Sequence, residues 1–106
     1  MINNISDLEE GLTFKREEYE VSVGSIDILA EDKNRLPVII EVKVKGDDSA
    51  IGQILGYIHA YKEEHKIEKV RGIIVAQDFT ERCKKAAKEA GIKLYKCRKV
   101  FHFQKD

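Results

Sequence analysis

The stretch Ile26–Lys45, "IDILAEDKNRLPVIIEVKVK", decides the fold. Its centre, "EDKNR", is turn chemistry between two apolar-rich arms. It predicts a hairpin with one arm over Ile26–Ala30 and a return strand over Leu36–Lys45, where Pro37 is tolerated at the start. Three ionisable residues, Asp27, Glu41 and Lys43, lie inside the arms rather than in the turn. Side chains alternate between the faces of a strand, so Val38, Ile40, Val42 and Val44 share one face and are assigned to the core. Ile39, Glu41, Lys43 and Lys45 share the other. On the partner arm Ile26, Ile28 and Ala30 alternate with Asp27 and Leu29, which lets Asp27 face the way Glu41 does. Glu41 and Lys43 then stand about 7 Å apart along the strand.

Two carboxylates and an ammonium therefore converge on one patch. Two adjacent carboxylates repel unless a proton or a cation lies between them. A hard cation such as Mg²⁺ binds through one or two carboxylates together with water and substrate phosphate oxygens. A neighbouring lysine can orient the attacking water or neutralise charge building on a phosphate. These are the components of metal-assisted phosphodiester hydrolysis. The same alternation also serves plain cross-strand ion pairing, so the trio alone leaves both readings open.

Outward from the hairpin, "GDDSA" breaks the strand at Gly46 and offers Asp48 or Ser49 as an N-cap. The helix that follows is expected over about residues 50–64, with Ile51, Ile54, Leu55, Ile58 and Tyr61 on its apolar stripe. Gln53 and Tyr57 fall off that stripe, stacked at i, i+4, where an amide and a hydroxyl can reach the hairpin's charged face. "VRGIIVA" (Val70–Ala76) reads as a short buried strand. Thr80 caps a second helix with Cys83, Ala86, Ala87 and Ala90 on one face and Gly91 at its end. "IKLYKC" is another strand, parallel to the previous one across the intervening helix. "VFHF" extends that edge. Upstream, Ser6 to about Leu12 predicts a short helix, and Lys15 to Val23 a strand before a bend at Gly24. The order is α-β-β-β-α-β-α-β, an α/β (α+β) domain with a mixed central sheet flanked by helices.

The chain has 106 residues, 42% hydrophobic and 36% charged, with zero net charge, which suits one domain with one core. No apolar run reaches the length of a membrane span, and the acidic N-terminus is unlike a signal peptide. Cys83 and Cys97 make no metal spacing, and the expectation is reduced thiols in the cytoplasm. His59, His65 and His102 are scattered and read as surface residues. Charge is asymmetric: residues 1–20 carry six acids against two bases, whereas Arg82–Lys105 holds nine bases and one acid. Lys84, Lys85 and Lys88 lie off the alanine stripe, and with Lys45 they are candidates for contact with a polyanion backbone. Phe101 and Phe103 share a face at the C-terminal edge, which points to a dimer seam.

Together, "GSIDILAED", "VIIEVKV" and "IGQILGY" resemble the PD-(D/E)XK nuclease superfamily, whose core is αβββαβ (restriction-endonuclease-like) and whose site reads D…(E/D)xK with QxxxY in the next helix. Asp27, Glu41 and Lys43, and Gln53 and Tyr57 match those positions. The run Val23–Ala76 is similar to the catalytic domain of archaeal NucS/EndoMS-type endonucleases and their RecB-like relatives. The resemblance implies a DNA endonuclease in which Asp27, Glu41 and the Val42 carbonyl ligate Mg²⁺ or Mn²⁺, Lys43 positions water or phosphate, and Gln53 and Tyr57 assist. It also implies that Glu9 or Glu10 can add a further acid. The chain departs from the family pattern in lacking the naming proline, in having Gly56 where Arg is frequent, and in lacking the relatives' separate DNA-binding domain. The last departure fits either a minimal nuclease or a domain of a longer protein that works beside another DNA-binding or helicase domain. A nucleic-acid-binding module that keeps the fold without turnover is the alternative.

Overall fold

A computed structural model describes residues 2–97; the dimer seam expected at Phe101 and Phe103, and the edge extension, lie outside them. The described strands form one five-stranded sheet in sequence order: β1 (Thr13–Val21), β2 (Gly24–Glu31), β3 (Pro37–Gly46), β4 (Arg71–Phe79) and β5 (Lys93–Lys96). β1–β2 and β2–β3 are antiparallel, while β3–β4 and β4–β5 are parallel. Helix α1 (Asp48–His65) joins β3 to β4, and α2 (Glu81–Ala90) joins β4 to β5. The sheet is mixed and the fold is α+β, as the order of apolar runs and turn signals predicts.

Both sheet faces are covered. On one, Ile39, Ile74, Ile26 and Leu29 pack against Ile51, Ile54, Ile58, Cys83 and Ala87 of the two helices. On the other, Ile28, Ala30, Val38, Ile40, Val42, Ile73 and Val75 lie under Ile5, Leu8 and Leu12 of the N-terminal segment. Burial on both faces explains why the central strands read as continuous runs, "VIIEV" and "GIIVA", rather than as alternation. Among the described residues, no helix is long and apolar enough to cross a membrane.

Several sequence expectations shift. The N-terminal helix is a 3-10 helix over Ile2–Asp7, not a helix over Ser6–Leu12. Three residues per turn put Ile5 and Leu8 on one side, against the sheet. Val23 sits in the β1–β2 turn rather than in β1, and it is exposed, as is Val44. Val44 lies beyond the last β2–β3 pair, Ile28↔Ile40, where the layer over that face has run out. The N-cap of α1 is Asp47, whose side chain accepts the Ala50 N–H, not Asp48 or Ser49. Its buried face is Ala50, Ile51, Ile54, Tyr57, Ile58, Ala60 and Tyr61, while Leu55 is exposed. The helix is rolled toward the β1–β2 hairpin, where Tyr61 meets Tyr19 at 5.8 Å between ring centroids. In α2, Cys83 and Ala87 are buried and Ala90 is exposed, while Thr80 caps and Gly91 ends the helix as expected.

Gly46 is buried where β3 meets β4, paired with Phe79, and its carbonyl accepts the Thr80 N–H at 3.0 Å. A Cβ there would run into the Phe79 ring. Gly46→Ala is therefore expected to lower stability by about 2 kcal/mol through overpacking, read as a fall in the urea midpoint at constant slope.

Candidate active site

The β2–β3 ladder is regular from Glu31↔Pro37 to Ile28↔Ile40 and then stops. Beyond it, side chains replace backbone pairing. The Val42 N–H donates to Asp27 Oδ2 at 2.8 Å, and the Asp27 N–H donates to Glu41 Oε2 at 3.1 Å. Each carboxylate is thus fixed by the backbone of the opposite strand, and the two carboxyl groups face each other across the split. Glu41 is 2% exposed, so it is one of the few charged residues inside the core. Burial first, and then the charge of Asp27, pushes its carboxyl up to about 7; Lys43 works in the opposite direction but does not offset them.

Lys43 is half-buried one pleat further along β3, at the lip of a cleft of about 410 Å³. Lys45, Asp47, Ser49, Ala50 and Gln53 line the rest of that cleft. Tyr57 is buried, and its hydroxyl is pushed above the usual range by burial and then by the charges of Glu41 and Asp27, against a hydrogen bond with Gln53. The structure therefore brings Asp27, Glu41, Lys43, Gln53 and Tyr57 together. It differs from the sequence reading in one respect, because Tyr57 belongs to the buried face of α1. The hairpin makes room for it at Gly24: a Cβ there would lie 3.0 Å from Tyr57 Cε1 and 3.1 Å from its Oη.

Other candidates are placed differently. Glu9 is not at the site. Arg71 holds its carboxylate through two contacts of 2.7 and 2.6 Å, Lys93 adds a third at 3.0 Å, and Arg71 stands across from Val38, three residues before Glu41 in β3. Lys45 is exposed at the cleft, while Lys84, Lys85 and Lys88 are exposed on α2, with Lys84 also paired to Glu81 at 3.3 Å. Two residues that the sequence reading does not single out, Asp78 and Lys96, adjoin Lys45 as an exposed ion pair. Parallel register puts Asp78 beside Lys45, and Lys96 lies 3.5 Å from Asp78. The Phe79 N–H, then Lys96 and Lys45, hold the Asp78 carboxyl below its usual range. No local spacing signals this group, because only the β3–β4–β5 register assembles it.

The donor set at Asp27 and Glu41 is oxygen only, and a buried carboxyl raised by a second carboxylate is stabilised by a cation placed between them. Among the described residues, no group of three or more His, Cys, Asp or Glu side chains is arranged to hold a metal ion. The pair thus fits a hard divalent ion that completes its shell with water and substrate oxygens rather than an all-protein cage.

Fold and site together define a mixed-sheet α+β domain that carries an Asp…Glu-x-Lys…Gln-x-x-x-Tyr constellation at a strand split. The chain belongs to the endonuclease NucS C-terminal domain family, whose model matches residues 1–101. It is 32% identical over 92 residues to endonuclease NucS of Kocuria rhizophila, covering 87% of this chain and 40% of that protein. Against endonuclease NucS of Methanocaldococcus jannaschii it is 35% identical over 86 residues, covering 80% and 33%. Among solved structures it is similar to a repair endonuclease from Pyrococcus abyssi (TM-score 0.81, 34% identity, 90% of this chain and 44% of that one). It is also similar to EndoMS in a complex with double-stranded DNA (TM-score 0.82, 27% identity, 91% and 40%). The chain spans less than half the length of these relatives.

Proposed function

We propose that this chain is the catalytic domain of a metal-dependent endodeoxyribonuclease. The observation that carries the reading is the Asp27–Glu41 pair, Glu41 buried and Asp27 half-buried, each carboxylate held by the opposite strand, with Lys43 beside it at the cleft. Similarity to an endonuclease family and to a protein seen with double-stranded DNA supports it. Asp27 and Glu41, with the Val42 carbonyl, would hold Mg²⁺ or Mn²⁺. Such an ion, when bound, supplies Lewis acidity toward a phosphate oxygen and favours ionisation of water near neutral pH.

This chain's own groups do the rest. Lys43 offers an ammonium to the scissile phosphate and to the attacking water at the cleft's edge. Tyr57, kept neutral beside two carboxylates, can donate a hydrogen bond, and Gln53 fixes the hydroxyl's direction. Lys45, Lys84, Lys85 and Lys88 are assigned to the phosphate backbone, whose contacts set affinity without reading sequence. A dimer, or a further DNA-binding or helicase domain, would extend that grip.

Plasmid and branched DNA incubated with the protein in Mg²⁺, Mn²⁺ or EDTA, beside Lys43→Ala, provide the test. Cleavage by wild type that EDTA abolishes and that Lys43→Ala lowers by at least about 10²-fold is the expected result. Binding without cleavage in any metal would instead identify a nucleic-acid-binding module that has kept the fold.

A further inference from the structure

Glu18 adopts φ 52°, in the left-handed region, in the middle of strand β1. The other two non-glycine residues with positive φ among those described have local reasons: Arg35 lies in the β2–β3 turn, and Lys66 is the C-cap of α1. Glu18 is in neither a turn nor a cap. The register gives it a different neighbour. Glu17 pairs with Ile28 and Tyr19 with Ile26, so Glu18 stands across from Asp27.

Strand β2 is irregular at the same point. Leu29 and Ile26 both pack on the helix side of the sheet, whereas Ile28 packs on the opposite side. Residues three apart on a regular strand face opposite ways, so the alternation breaks once between Ile26 and Ile28, at Asp27. That is why Ile26 does not share a face with Ile28 and Ala30, as plain alternation predicts. It is also where β2 leaves its ladder with β3 and the Asp27 carboxylate turns to take the Val42 N–H. In β1 the matching break falls at Glu18, since Tyr19 packs on the helix side, opposite Ile26. An extended residue at position 18 would leave β1 straight beside a bent β2, and the pairing on one side of Asp27 would be lost.

We propose that Glu18 is a positioning residue for Asp27: its left-handed backbone carries β1 through the same bend as β2 and holds the Asp27 carboxylate against β3. The consequence for cleavage rests on the nuclease reading of Asp27; the placement of Asp27 does not. Three variants of the full chain separate backbone from side chain. Glycine adopts φ > 0 freely, a β-branched residue resists it, and glutamine removes the charge while keeping the shape.

Amide hydrogen exchange and the ¹H–¹⁵N shift of Val42, without metal, read the placement directly. Glu18→Gly and Glu18→Gln are expected to match wild type, whereas Glu18→Val exchanges its Val42 N–H at least about tenfold faster, with the distant Leu8 and Ile92 amides unchanged. In Mn²⁺, cleavage then falls at least about tenfold in Glu18→Val only, chiefly in kcat. Equal loss in Glu18→Gln would show that the carboxylate matters, and an unmoved Val42 amide in Glu18→Val would show that the bend does not depend on residue 18. Either result overturns the proposal. If the Val42 amide moves as expected while no variant, wild type included, cleaves DNA, the positioning stands and the nuclease reading fails.

Discussion

Glu41→Gln is expected to melt about 10 °C above wild type at pH 8, to lose most of that advantage near pH 4, and to cleave DNA far more slowly in the presence of metal. The sign follows from the direction of the shift. The Glu41 carboxyl is raised from 4.5 to about 7 in the folded protein, by burial and then by Asp27. Between those values the folded state holds a proton that the unfolded state has released, so the group's contribution to stability is complete below about 4.5 and is lost as pH rises through about 7. Above that, an ionised Glu41 sits inside the core beside a second carboxylate. Glutamine keeps the shape, accepts the Asp27 N–H as Glu41 does, and can donate its amide to the Asp27 carboxylate. Removing the charge is then worth on the order of 2 kcal/mol at pH 8, or roughly 10 °C in Tm for a domain of this size. If Glu41 holds the metal as proposed, the same change removes the charge it offers the ion, so cleavage should fall roughly 10³-fold. Circular dichroism melts at both pH values and a plasmid assay check both halves. Equal Tm at pH 8 would mean that the Glu41 charge is not under strain. Added Mg²⁺ should narrow the gap by raising the wild-type Tm alone.

The second large effect lies away from the cleft. Arg71 bridges Glu9 of the N-terminal segment and Asp32 of the β2–β3 turn, with an Asp32 contact of 3.1 Å. Burial works against the Asp32 charge, but the Leu36 N–H, Arg71 and the Asn34 N–H together hold its carboxyl below the usual range. Arg71, with Lys93, lowers the Glu9 carboxyl to about 2. Arg71→Ala leaves Asp32 buried without its counter-ion and frees the segment that covers the second sheet face. A loss of about 3 kcal/mol is expected, near the lower end for breaking a buried pair, because Glu9 keeps Lys93 and Asp32 keeps two N–H donors. Glu9's depressed value means that its contribution is present above about 4.5 and lost as pH falls through about 2. Urea titrations should therefore show the gap between wild type and Arg71→Ala narrowing from pH 7 to pH 3. A gap that stays constant would show that the network acts through packing rather than charge.

The local record in the sequence carried far. Turn residues at 31–35, the apolar runs around them and the Thr80 and Gly91 signals define elements whose stabilisation is local, so their positions are legible from spacing. Glu41 and Lys43 take the face of β3 that alternation predicts, because the period of two is unbroken from Val38 to Val42. The errors share one cause. Ideal periodicity puts Val44 and Leu55 in the core and Ile26 beside Ile28, but each is decided by what covers it: the end of a layer, the roll of α1 toward the hairpin, and a bend in β2. Glu9 read as a spare acid until the fold brought Arg71 and Lys93 to it, residues distant in sequence.

By itself, the sequence determined the strand and helix order, the mixed sheet and the residue types of the Asp27–Glu41–Lys43 patch, because propensity and alternation act between near neighbours. Only the tertiary structure decided that β2 and β3 part at Ile28 and Ile40, that each carboxylate takes the other strand's N–H, and that Glu41 is desolvated enough to hold a proton near neutrality. Those properties depend on burial and on charges held close by residues far apart in the chain.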